Sequence, residues 1–170
     1  MKVKIVLSAL LAVFLLGSLQ TKAQNDYDSL PPYRKDSSLP NFLLLRQDSS
    51  WLNVAQTPKK TAVVITFFNP DCEHCQHEAT RLASAMDKLK KIDFIWATYA
   101  ASFEEIDAFA KKYHLDNLPN VHFVKDVNYA IPSFYHLEMT PYMAAYNKKR
   151  ELVKTFPTGA SPEELIKLLE

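Results

Sequence analysis

Residues 61–78 read TAVVITFFNPDCEHCQHE, and the expected fold is built outward from them. Ala62-Val63-Val64-Ile65-Thr66-Phe67-Phe68 is an unbroken apolar run rich in β-branched and aromatic residues, the pattern of a strand buried on both faces. Asn69-Pro70-Asp71 ends it, because Pro cannot donate to a central ladder and Asn and Asp favour turns. Cys72-Glu73-His74-Cys75 then opens a run predicted to be helical through Lys90. A buried strand, a tight turn and a helix with two thiols in its first turn make a cysteine reactive. Unpaired N–H groups and the partial positive charge of the helix start favour the thiolate.

These are the only two cysteines in the chain. A bridge across so short a loop removes only about 2 kcal/mol of unfolded-chain entropy, against roughly 3 for a fifteen-residue loop. A staple is therefore a weak account of the pair, and a redox-active dithiol a better one. Cys72 is expected to be the exposed, attacking thiol and Cys75, one turn further in, the resolving one. His74, when protonated, would favour the Cys72 thiolate, and Glu73 would oppose it.

Upstream, residues 1–23 are expected to be a secretory signal. Lys2 and Lys4 precede an apolar core from Ile5 to Leu16, and Thr21-Lys22-Ala23 ends in a small residue suited to cleavage. The core is short for a membrane span, which needs about 20 residues, although Gly17-Ser18-Leu19 could extend it into an anchor. Either outcome puts the domain outside the cytoplasm, in a periplasm-like compartment, where disulfide chemistry is possible. Residues 24–38, polar and proline-bearing, are expected to be a flexible tether, and residues 39–170 the folded domain. The 170-residue chain carries a formal charge of +1, which becomes −2 once Lys2, Lys4 and Lys22 leave with the leader. That balance points to neither a nucleic acid nor an anionic membrane surface as partner, so membrane contact would come only through an uncleaved leader.

Phe42 to Arg46 and Trp51 to Val54 are predicted strands ahead of the central one. Behind the cysteines, Ala79, Leu82, Ala83, Met86 and Leu89 fall at helical spacing. Ile92 to Thr98 is a second buried strand, and Ser102 with Glu105 is close to a capping box for a helix over Phe103 to His114. Val121 to Val124 is a short strand, Ala130 to Leu137 a helical turn, and Tyr142 to Asn147 with Glu151 to Phe156 a hairpin. Ser161-Pro162-Glu163-Glu164 starts a closing helix, with a capping Ser and Pro at the first helical position.

FFNPDCEHC before a helix, with Thr140-Pro141 far downstream, resembles the thioredoxin superfamily, and more narrowly its TlpA/ResA-like branch of extracytoplasmic thiol–disulfide oxidoreductases. The resemblance covers roughly Leu39 to Glu170. It implies an α/β thioredoxin-like fold: a central mixed β-sheet flanked by helices, with an N-terminal β extension and an inserted βα unit. It further implies a cis bond at Pro141 packed against the cysteines, and a Thr140 backbone that pairs with an extended substrate segment. The implied cofactor list is empty apart from the Cys72–Cys75 disulfide. The implied partners are protein disulfide or dithiol substrates and a membrane or periplasmic redox protein that recycles the site, with the direction of electron flow open. Two departures stand out. Thr66 occupies the place where thioredoxins proper carry a buried Asp as proton acceptor, leaving Glu73 as a candidate substitute. Asp71 stands where a tryptophan commonly precedes the first cysteine.

The rival chemistry is metal binding. Cys72, His74, Cys75 and His77 are a ligand-like set, but on a helix His77 lies about 140° from Cys72 and about 160° from Cys75, so these side chains cannot converge. The surviving version is a Cu(I) chaperone resembling Sco-type proteins, using Cys72, Cys75 and a distant histidine such as His136. Peroxidase chemistry is disfavoured, because the Pro and the Thr or Ser that such a site needs ahead of its cysteine are Ile65 and Asn69 here.

Overall fold

In the computed structural model, residues 30–169 are described. Seven strands form one mixed sheet: β1 (Leu43–Leu45), β2 (Trp51–Asn53), β3 (Ala62–Phe67), β4 (Ile92–Thr98), β5 (Val121–Lys125), β6 (Tyr142–Tyr146) and β7 (Leu152–Phe156). Their order across the sheet is β2-β1-β5-β4-β3-β6-β7. The helices are α1 (Pro32–Lys35), α2 (Glu73–Ala83), α3 (Phe103–Lys112), α4 (Ala130–Tyr135) and α5 (Pro162–Leu169). Every residue of β3, β4 and β6 is buried, as their unbroken apolar runs require. β3, β4 and β5 run parallel, joined through α2 and α3, while β6 lies antiparallel beside β3 and β7 antiparallel beside β6. The β1–β2 hairpin adds to the outer edge of β5. This is the thioredoxin-like α/β fold expected, with its N-terminal β extension.

Two apolar layers sandwich the sheet. On one face α2, α3 and α5 bury Leu82, Phe109 and Leu165 against Val64, Trp96 and Met143. On the other, Ile131 and Tyr135 of α4 and Phe42 of the N-terminal extension cover Ile65, Ile95 and Ala144. Each fully buried side chain of this size contributes about 1.5–3 kcal/mol.

Three elements end where periodicity does not predict. α2 stops at Ala83 rather than Lys90, because the Ser84 hydroxyl takes the Arg81 carbonyl (2.8 Å) and the chain tightens into a 3₁₀ turn, Met86–Lys88, that still delivers Met86 and Leu89 to the core. α3 stops at Lys112, with His114 just beyond in the left-handed conformation (φ 58°) that glycine usually supplies at a helix end. Val54–Gln56 is a 3₁₀ turn capped by Asn53, so β2 is shorter than its apolar run.

Pro31–Glu170 forms one compact unit, which takes in residues ahead of Leu39. Within the stretch expected as a tether, α1 is a helical turn, the Tyr33 ring meets Tyr135 (centroids 5.5 Å), and Ser38 bridges Glu151. Tyr33 supplies apolar surface in an otherwise polar segment. The expected signal at residues 1–23 lies outside the described residues. Among the described residues, no helix is long and apolar enough to cross a membrane.

Candidate active site

The turn after β3 is built from the residues that interrupt it. The Asn69 side chain accepts the Asp71 N–H (3.1 Å), its carbonyl accepts the Cys72 N–H (3.0 Å), and Gln76 reaches back to the Pro70 carbonyl (2.9 Å). Cys72 thereby becomes the N-cap of α2, with extended backbone (φ −80°, ψ 116°) and its sulfur in the place usually filled by a Ser or Asp oxygen. The Cys75 N–H donates to Cys72 Sγ at 3.4 Å. On the other side, Cys72 Sγ–H donates to the Thr140 carbonyl, also at 3.4 Å. Pro141 follows through a cis peptide bond and is buried at the head of β6. The structure thus gathers Cys72, Cys75, Thr140 and Pro141 at one end of the sheet.

The two thiols, both unbridged, differ in environment. Cys72 is partly exposed and Cys75 fully buried. Burial works to raise the Cys72 thiol, but hydrogen bonds from the Cys75 and Thr140 side chains and from the backbone N–H groups of Cys75 and His74 outweigh it, leaving the thiol below its ordinary value. Burial pushes the Cys75 thiol up to about 12, reinforced by its neighbour Cys72. The accessible sulfur is thus the more acidic of the two and the buried one the less acidic.

Glu73 and His74 are both exposed on the first turn of α2, away from the buried Cys75. Thr66 is fully buried, and its hydroxyl has no hydrogen-bond partner among the described residues. The buried acid on α2 is instead Glu78, which accepts the Ala160 N–H (3.3 Å), pairs with Arg81 and is raised by burial, Arg81 partly opposing the shift. It was legible: Cys75, Glu78, Ala79 and Leu82 fall on one stripe at helical spacing, and an acid inside such a stripe is buried. Among the described residues, no group of three or more His, Cys, Asp or Glu is placed to hold a metal ion. His136 ends α4 in a left-handed conformation.

Among solved structures, the fold is similar to a secreted Mycobacterium tuberculosis disulfide oxidoreductase homologous to Escherichia coli DsbE, at 20% identity, over 75% of this chain and 92% of that one (TM-score 0.62). It is also similar to StoA from Bacillus subtilis, at 18% identity over 79% and 99% of the two chains (TM-score 0.61). A third similar structure is the thioredoxin domain of a thiol–disulfide oxidoreductase from Bacteroides vulgatus, at 13% identity over 82% and 94% (TM-score 0.62). A comparison with curated protein sequences returns no match. The sequence profile of the AhpC/TSA family matches residues 36–155, a stretch that holds Cys72, Cys75, Thr140 and Pro141, and the chain belongs to that family.

Proposed function

We propose that this chain is an extracytoplasmic thiol–disulfide oxidoreductase of TlpA/ResA-like type that reduces disulfides in partner proteins through Cys72 and Cys75. The observation that carries the reading is the asymmetry of the two thiols at one helix start: Cys72 accessible and lowered, Cys75 buried and raised to about 12. The Cys72 thiolate attacks one sulfur of a partner disulfide. The partner S–S bond breaks as the Cys72–partner bond forms, and one partner thiolate leaves. That leaving thiolate can take the proton that Cys75 must lose. Cys75 then attacks Cys72, closing the Cys72–Cys75 disulfide and releasing the second partner thiol, so two electrons pass to the partner. The Thr140 backbone, beside Cys72, would align the partner segment by strand addition.

The secreted relative among similar structures and the apolar leader-like N-terminus support placement outside the cytoplasm, with a second redox protein returning the disulfide to the dithiol. Peroxide reduction is not favoured despite the family, since Ile65 and Asn69 stand where a peroxidase site needs its Pro and its hydroxyl.

The test is a redox titration of the full chain across dithiothreitol and glutathione buffers, reading the Cys72–Cys75 disulfide by alkylation and mass. The expected midpoint is about −230 mV or below, in the thioredoxin-to-glutaredoxin range. One near about −120 mV would mark an oxidant instead. If no Cys72–Cys75 disulfide forms at any potential, the reading fails.

A further inference from the structure

The small net charge of the chain conceals an uneven distribution. Three turns meet at the end of the sheet opposite the cysteines: residues 57–61 before β3, residues 86–91 before β4, and residues 147–151 between β6 and β7. Hydrogen bonds join them. Arg150 donates to the Thr57 and Pro58 carbonyls (2.7 and 2.6 Å), and the Ala62 N–H donates to the Lys91 carbonyl (3.2 Å). The first turn exposes Lys59 and Lys60, the second Lys88, Lys90 and Lys91, and the third Lys148 and Lys149. Only two exposed acids stand among them. Asp87 pairs with Lys90 (3.0 Å), and Glu151 accepts the Asn147 side-chain amide (2.9 Å).

The cysteine end is the reverse. Residues 68–80, 99–110 and 126–141, which follow β3, β4 and β5, contain no lysine or arginine, and they expose Asp71, Glu73, Glu104, Glu105 and Glu138. β3 has six residues, so at about 3.3 Å per residue the two ends lie about 20 Å apart. An apolar groove borders the lysines. It holds about 290 Å³ and is lined by Met86, Leu118 and Pro119 together with Lys90. Asn120 fixes its position, because its side-chain amide donates to the Leu89 and Ile92 carbonyls (3.2 and 2.8 Å) and so ties the loop before β5 to the turn before β4.

We infer that the lysine end is a docking surface for an anionic phospholipid bilayer. It goes beyond the thiol chemistry and does not depend on it. Seven exposed lysines on three adjoining turns make a broad positive field, the complement of a plane of charged headgroups. Lysine is a flexible point charge that suits a fluid array of phosphates, whereas a geometric anion site uses the arginine fork. Here the Arg150 guanidinium is turned inward to backbone carbonyls. The groove favours a lipid over a soluble polyanion, because a bilayer surface offers apolar groups beside its phosphates and a polyanion in water does not. The same surface repels the acidic cysteine end, so the molecule lies in one orientation, with Cys72 turned away from the lipid.

The test follows acetylation of each lysine of the full chain by mass spectrometry, with and without vesicles. Phosphatidylcholine vesicles with about 30% phosphatidylglycerol should protect the seven lysines, and pure phosphatidylcholine should not. Lys125, at the carboxyl end of β5, should stay unprotected on both, and Cys72 should react with iodoacetamide as fast as in free solution. Reading each lysine separately sets aside any affinity of the apolar run Ile5 to Leu16 for lipid. Raising NaCl from about 0.1 M to about 1 M shortens the Debye length from about 10 Å to about 3 Å and should abolish the protection. Each lysine beside an anionic surface is worth about fivefold in partition, so Lys148→Gln with Lys149→Gln should raise the lipid concentration that protects the other five about 25-fold. Protection that is absent, that is equal on neutral vesicles, or that the double substitution leaves unchanged would overturn the inference. So would equal protection by polyphosphate in solution, which would remove the lipid from it, or a loss of Cys72 labelling on vesicles, which would contradict the orientation.

Discussion

At the scale of single residues, the chemistry comes down to two sulfurs one helical turn apart. Because the thiolate is the nucleophile, alkylation by iodoacetamide follows its fraction and rises with pH through each thiol's pKa. Cys72 lies below the ordinary thiol value of 9.0, burial opposing but not overcoming its hydrogen bonds, so its reaction should set in at lower pH than that of a free cysteine. Cys75, raised to about 12 by burial, should stay inert across that range. Mass spectrometry between pH 7 and 9 should therefore find one label per reduced chain, on Cys72, and none in Cys72→Ser. Cys75→Ser should accumulate a mixed disulfide between Cys72 and a disulfide peptide, since nothing remains to resolve it. Thr66 makes a separate point. Its buried hydroxyl has no partner among the described residues, and an unsatisfied buried group costs about 1–3 kcal/mol, so Thr66→Val should stabilise the fold by about 1 kcal/mol in urea unfolding. A loss of stability there would mean that the hydroxyl has a partner in solution. Cys72, Cys75 and Thr66 were legible in the sequence because a strand, a turn and a helix start fix their relative positions. Glu73 and His74 were legible only as charges near a thiol, since their direction depends on where the first turn of α2 faces.

At the scale of elements, α2 and α5 are tied through Glu78, and the tie depends on one glycine. Gly159 sits at φ 90°, and a Cβ built on it would collide with the Glu78 carboxylate. Gly159→Ala should therefore destabilise the fold by about 1–3 kcal/mol in urea unfolding, from backbone strain together with the displaced ion pair of Glu78 and Arg81. A neutral result would mean that the loop before α5 re-forms elsewhere at little cost. The capping box of α3 was readable: Ser102 Oγ accepts the Glu105 N–H (3.2 Å), and the Glu105 side chain accepts the Ser102 N–H (2.6 Å). The end of α2 was not, because Leu82, Met86 and Leu89 keep a helical spacing through a 3₁₀ turn that only the Ser84 hydroxyl reveals. The left-handed residues Tyr129 and His136 that bracket α4 carry no glycine to announce them. Local bonds to Asp126, three to five residues upstream, impose the first of them, and it is the burial of that carboxylate that the neighbouring residues do not announce.

At the scale of the whole molecule, the sheet was legible from buried runs such as β3 and β4, whose composition leaves no face for water. The docking of α1 and the residues after it was not, because their anchors, Tyr33 on Tyr135 and Ser38 beside Glu151, join distant parts of the chain. The site and the fold are also linked thermodynamically. Closing the Cys72–Cys75 bond changes the stability of the entire folded unit by as much as folding changes the tendency of that bond to form. A reductant holds its disulfide more tightly when folded than the unfolded chain does, so the oxidised form must be the more stable one. Each 30 mV by which the folded site is more reducing than the denatured chain is worth about 1.4 kcal/mol of extra stability in the oxidised form. We therefore expect the oxidised protein to unfold at a higher urea concentration than the reduced one, with the slope of the transition unchanged because the same surface is exposed. In an oxidant the order reverses, since its reduced form is the stabilised one. Paired urea curves of the two redox forms thus determine the direction of electron flow without knowledge of the partner. A reduced form that outlasts the oxidised one would turn the proposed reductant into an oxidant while leaving Cys72 and Cys75 as its reacting groups.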